Sequence, residues 1–151
     1  MRLLMWGLLA SLVLGADVTG VKAVYLLPMA GGLDQYLANR LTGDQVFRVV
    51  TDPKLADAIF TDHLGDAFEK QLTVLYPPAE SADAEEKDDS NKPQPHPSSF
   101  GRGKGTVFLV DLKSREVVWS GYEGRIGSTP GLLDRTAVRI VREIKKQQKA
   151  K

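Results

Sequence analysis

Residues 105–122 read GTVFLVDLKSREVVWSGY, two strand-like runs on either side of a short polar stretch. Val, Phe, Leu, Trp and Tyr suit a pleated, half-buried surface. Lys113, Ser114, Arg115 and Glu116 make a loop of ordinary hairpin length between them. Side chains alternate along a strand, so Phe108, Val110 and Leu112 share one face and Val107, Leu109 and Asp111 the other. The same rule puts Val117 and Trp119 on one face of the second run, and Val118 and Ser120 on the other. Gly124, Gly127, Ser128 and Thr129 then form a loop, with Thr129 placed to cap a helix and Pro130 suited to its first position. Leu133, Ala137, Ile140 and Ile144 recur at helical spacing beside Leu132 and Val141, so a C-terminal helix turns an apolar stripe to the sheet. Its expected seat is the face carrying Trp119. Lys145, Lys146, Lys149 and Lys151 lie where the carbonyl end of the helix favours cations, which explains the basic tail without a membrane or nucleic-acid role.

Working back from the hairpin, the first half alternates element types. Residues 23–29 (AVYLLPM) are apolar nearly throughout, as expected for a central strand covered on both faces, and Pro28 ends its pairing. Gly31 and Gly32 turn the chain into a helix of about ten residues whose stripe is Leu33, Tyr36, Leu37 and Leu41. Residues 46–51 (VFRVVT) read as a second strand. Asp52 and Pro53 are a helix-entry pair that predicts a short helix over residues 54–57. Residues 58–64 (AIFTDHL) read as a third strand, and residues 66–75 as a helix at least at their start, from the spacing of Phe68 and Leu72.

The chain has 151 residues, 42% of them hydrophobic and 26% charged, with 20 Lys and Arg against 19 Asp and Glu, enough for one ordinary domain. The charge balance argues against nucleic acid as the partner. The absence of Cys excludes disulfides, thiolate metal sites, cysteine nucleophiles and a lipobox cysteine. Residues 1–16 have the order of a secretory signal peptide: Arg2, the apolar run LLMWGLLASLVL, then Gly15 and Ala16. That run is shorter than the roughly twenty apolar residues needed to cross a bilayer. Residues 76–104, rich in Pro, Ser and charge, cannot build a core and read as a flexible insertion. The flanking pieces, 17–75 and 105–151, are too small to fold separately and should pack as one domain. The expected fold is therefore α/β: a two- or three-layer single domain with a mixed sheet of about five strands and the C-terminal helix packed on it.

The stretches AVYLLPMAGGLDQYLANRL and VVTDPKLADAIFTDHLG, joined to the hairpin and to LDRTAVRIVREIKK, resemble the small envelope domains of the CsgG, LpoB and TolB amino-terminal type. The resemblance covers about 100 residues outside the signal and the insertion. It implies a bacterial envelope protein, periplasmic or secreted, and it brings no catalytic residue with it. The missing lipobox cysteine departs from CsgG and LpoB, and with it from lipid anchoring.

Chemistry-bearing candidates are few. Asp62 and His63 could form an acid–base pair with a Ser nucleophile. As neighbours on one strand they should point to opposite faces. The turn Met29-Ala30-Gly31-Gly32 and the run Gly101-Arg102-Gly103-Lys104-Gly105 could each hold an anion, but both read more simply as a turn and a solvated hinge. His96 sits among prolines. No catalytic, cofactor-binding or metal residue is assigned, and no cofactor. The expectation is a non-catalytic exported module whose partner is another envelope protein or a copy of itself, with no nucleic acid and no membrane span after signal cleavage. The alternative is a small periplasmic hydrolase or ligand-binding enzyme using Asp62 and His63.

Overall fold

The structure is a computed structural model that describes residues 17–77, 105–124 and 126–150. The expected signal peptide, residues 78–104 of the expected insertion, His96 and the Gly101 to Lys104 run lie outside the described residues. The elements in chain order are β1 (Ala23–Leu26), α1 (Leu33–Gly43), β2 (Arg48–Val49), β3 (Ala58–Thr61), α2 (Asp66–Leu75), β4 (Thr106–Asp111), β5 (Val117–Tyr122) and α3 (Pro130–Lys149). One five-stranded sheet runs in the order β2-β1-β3-β4-β5. β1 is parallel to β2 and β3, whereas β4 runs antiparallel to both of its neighbours. The sheet is therefore mixed.

Helices on both faces make three layers. On one face Val24, Ala58, Phe60, Val107, Leu109 and Trp119 of the sheet pack against Leu33, Leu37 and Leu41 of α1 and Leu133, Ala137, Ile140, Val141 and Ile144 of α3. Phe60 is the aromatic centre of this layer, with ring centroids 6.3 Å from Phe47 and 6.5 Å from Trp119. On the opposite face Leu27, Ile59 and Val110 meet Phe68 and Leu72 of α2. Ala58, Ile59 and Phe60 are fully buried because β3 is central and its alternating side chains enter both layers.

The helical stripes fall where their spacing predicts, except that Leu132 turns outward and is 47% exposed. The strands are shorter than their apolar runs. β1 stops at Leu26, two residues before Pro28, and β3 stops at Thr61, before Asp62 and His63. Residues 54–57 do not form a helix of their own: a 3-10 turn covers Pro53–Leu55, with the Asp52 side chain accepting from the Lys54 amide at 2.9 Å as a cap. Asp57 lies beyond that turn and accepts from the amides of Lys22 and Ala23, which ties the starts of β1 and β3. Thr129 precedes α3 as expected, with Pro130 in its first turn, but its side chain makes no capping bond. Tyr76, at the start of the expected insertion, packs on the α2 layer and donates its hydroxyl to the Pro53 carbonyl.

The hairpin departs from simple alternation. Leu109 pairs with Trp119 but Val110 pairs with Val117, so the register slips at Val118. This bulge puts an extra residue on β5. Val118 and Trp119 both pack on the α1–α3 layer, while Val117 goes to the other face and is 45% exposed. The expectation that Val117 and Trp119 share a face is thereby corrected.

Candidate functional site

The parallel strands β1 and β3 lie side by side, and the chain leaves them toward opposite faces of the sheet, into α1 after β1 and into α2 after β3. Such divergence opens a crevice at the carboxyl ends of parallel strands, where α/β proteins commonly place ligands. Asp62 and His63 occupy this position. The Asp62 side chain is 1% exposed; one oxygen accepts from the Ala30 amide at 2.8 Å and the other lies 2.8 Å from His63 Nδ1. His63 Nε2 lies 3.1 Å from Gln71 Oε1 on α2. The Thr61 hydroxyl donates to the His63 carbonyl at 2.9 Å and holds the chain as it leaves β3.

The expectation that Asp62 and His63 point apart is corrected here. Alternation holds only within a strand, and the extended pairing ends at Thr61. Past that point the backbone is free to bring both side chains to one side. Gln71 is the partner that sequence reading missed; it lies eight residues on and a helix away, with no short-range signal to connect it to His63.

The result is a closed line of polar contacts: Ala30 amide, Asp62 carboxylate, His63 imidazole, Gln71 amide. Both ring nitrogens of His63 are engaged. A general base needs a nitrogen directed at the proton it takes. Here that nitrogen is turned to Gln71, and no Ser among the described residues contacts the ring. The line ties the turn that follows β1 and the segment that leaves β3 to α2. In the Met29 to Gly32 turn the Ala30 amide donates to Asp62 of the protein's own chain. Gly31 and Gly32 adopt φ of 68° and 78°, left-handed values that glycine takes without strain, and so present the Ala30 amide to the carboxylate. Beside Gln71, Tyr25, Leu27, Pro28, Lys70 and Leu75 line a shallow, mostly apolar groove of about 310 Å³, and His63 does not line it. No group of three His, Cys, Asp or Glu able to hold a metal occurs among the described residues.

The second candidate is the free edge of β5. Its end is fixed by the Glu123 amide, which donates to the Gly105 carbonyl at 2.7 Å. In an antiparallel ladder the pairs alternate, so residues 121 and 119 also bond toward β4, whereas the backbone groups of Ser120 and Tyr122 point away from it. Among the described residues no strand lies beyond β5. Proteins usually blunt such an edge with Lys, Pro or a very short strand. β5 has six residues, VVWSGY, with no charge and no Pro. Tyr122 and Val117 are 75% and 45% exposed. At the opposite edge, β2 has only two residues, one of them Arg48.

Neither a family model, nor a curated protein, nor a solved structure matches this chain.

Proposed function

We propose that the protein is a non-catalytic, exported module of the bacterial envelope that binds another envelope protein, or a second copy of itself, through the free edge of β5. The observation that carries this reading is the uncharged six-residue edge with the Ser120 and Tyr122 backbone groups turned outward. An extended segment added there gains main-chain hydrogen bonds, with pockets for alternate side chains setting its choice of partner. The signal-like first sixteen residues and the resemblance to CsgG, LpoB and TolB domains support the envelope setting. Against an enzyme centred on Asp62 and His63 stands the closed contact to Gln71, which leaves no ring nitrogen facing a substrate.

Ser120→Pro removes an outward amide and spares the β4–β5 ladder. Tyr122→Lys places a charge on the same edge without touching the backbone. Tagged parent and variant proteins are compared for mass in solution and for stoichiometric capture of a partner from the envelope fraction. Loss of self-association or capture in both variants, with urea midpoints unchanged, is the expected result. Binding that survives both substitutions refutes the edge as the interface.

A further inference from the structure

The outer side of α3 carries a second surface, unrelated to the β5 edge. Arg135, Arg139 and Arg142 are spaced at i, i+4 and i+7, which sets them along one side of the helix. With Thr136 and Gly127 they line a cleft of about 480 Å³. Two of the three arginines are uncompensated. Arg139 forms an ion pair with Glu123 at 2.9 Å, and burial keeps that carboxyl above its usual range even beside the guanidinium. Asp134 is taken by Arg40 at 2.6 Å and Glu143 by Lys146 at 3.1 Å. Among the described residues no carboxylate pairs with Arg135 or Arg142. Three guanidinium groups and one carboxylate leave two positive charges in excess in a protein whose formal net charge is +1.

Thr136 is the independent sign of a ligand. It is 4% exposed, yet its hydroxyl makes no hydrogen bond among the described residues. Among the described residues no fully enclosed side-chain oxygen is left without a partner, so this hydroxyl opens onto the cleft it lines. Open only to the cleft, this hydroxyl takes its hydrogen bonds from whatever fills that space, water or a ligand.

We propose that this cleft binds a phosphate group, free or carried on a lipid headgroup, with Arg135 and Arg142 as its ionic partners and Thr136 as a hydroxyl donor. Two unpaired guanidinium forks and a hydroxyl offer more donors than the two oxygens of one carboxylate can accept, whereas a phosphate presents three or more oxygens. The Arg139–Glu123 pair is a positioning element that fixes the wall of the cleft. Leu132, exposed at the rim, offers apolar surface to whatever the phosphate is attached to.

The test uses inorganic pyrophosphate in calorimetric titration, and sedimentation with vesicles of phosphatidylcholine alone or mixed with phosphatidylglycerol. The double variant R135Q/R142Q should weaken binding at least about tenfold, since it removes two charge-assisted contacts. Thr136→Val should weaken it severalfold with the same salt dependence, and Lys146→Gln, outside the cleft, should leave it unchanged. Urea melts confirm that the exposed substitutions leave the fold intact. Saturable pyrophosphate binding lost in R135Q/R142Q supports the site with a free phosphate ligand. Vesicle binding that requires phosphatidylglycerol and is lost in the same variant supports it with a lipid source. No binding of either probe by the parent, or equal binding by parent and double variant, overturns the proposal.

Discussion

Ile140→Ala tests the packing on which the fold rests. Ile140 has no exposed surface and lies in the layer formed by α1, α3 and the Trp119 face of the sheet. The substitution deletes three carbons, worth about 2.4 kcal/mol at about 0.8 kcal/mol per buried methylene. A void that the neighbours do not refill adds to this. Leu33, Leu37 and Leu41 from α1, Phe60 and Leu109 from the sheet, and Ala137 and Ile144 from α3 are held by their own elements, so collapse is limited. The expected cost is therefore in the range of about 2–5 kcal/mol. With a urea m-value of about 1.5 kcal/mol per M, the midpoint should fall by roughly 1.3–3.3 M. Lys146→Ala, on the exposed end of the same helix, should stay within about 0.5 kcal/mol. Trp119 is 4% exposed in the same layer, so its fluorescence reports the transition directly in a chain beginning at Asp17. An Ile140→Ala midpoint equal to the parent's would mean that α3 is not docked on the Trp119 face, and the core described above would be wrong.

Two further outcomes follow from the polar contacts. Asp62→Ala leaves the Ala30 amide and the His63 ring without their buried acceptor and should cost about 2–5 kcal/mol; Asp62→Asn should cost less, because His63 can accept at Nδ1 and move its proton to Nε2 toward Gln71, a tautomer change visible in nitrogen NMR. Equal stabilities of Asp62→Ala and parent would refute a structural role for the line. Arg40, hydrogen-bonded to Asp134, holds that carboxyl below its ordinary range. A depressed acid contributes stability above its unfolded pKa that disappears as the pH falls through the folded value. Arg40→Gln should accordingly lower stability above about pH 4, only slightly because the pair is exposed, and the difference from the parent should vanish as the pH falls further, which flattens the acid limb of the curve. Denaturant melts from pH 7 into acid, giving identical slopes for the two proteins, would contradict the pairing.

What could be read from the sequence, and what could not, divides by the range of the interaction. The stripe Leu133, Ala137, Ile140, Ile144 and the all-buried run at Ala58 to Phe60 were legible because burial imposes a period on neighbouring residues. The sequence does not decide between two layers and three, since the periodicity of Phe68 and Leu72 shows that α2 is amphipathic but not which face of the sheet it covers. Asp62, His63 and Gln71 were not legible as a group. Their meeting depends on where β3 ends, and that is fixed by Leu109 and Phe108 pairing across to Phe60 and Thr61.

Val118 shows the same limit at a single residue. In the turn, Asp111 accepts from the amides of Lys113 and Ser114, and Arg115 takes a left-handed φ of 63°. That turn lets Val110 meet Val117 while Leu109 meets Trp119, and the extra residue is absorbed as a bulge. Strict alternation would have buried Val117 beside Trp119 and turned Val118 away. With the bulge, Val118 joins the core and Val117 is left on the open face beside the β5 edge. One slipped register thus fills the α1–α3 layer and exposes an apolar side chain on the proposed interface, which is why the same strand serves both core and edge.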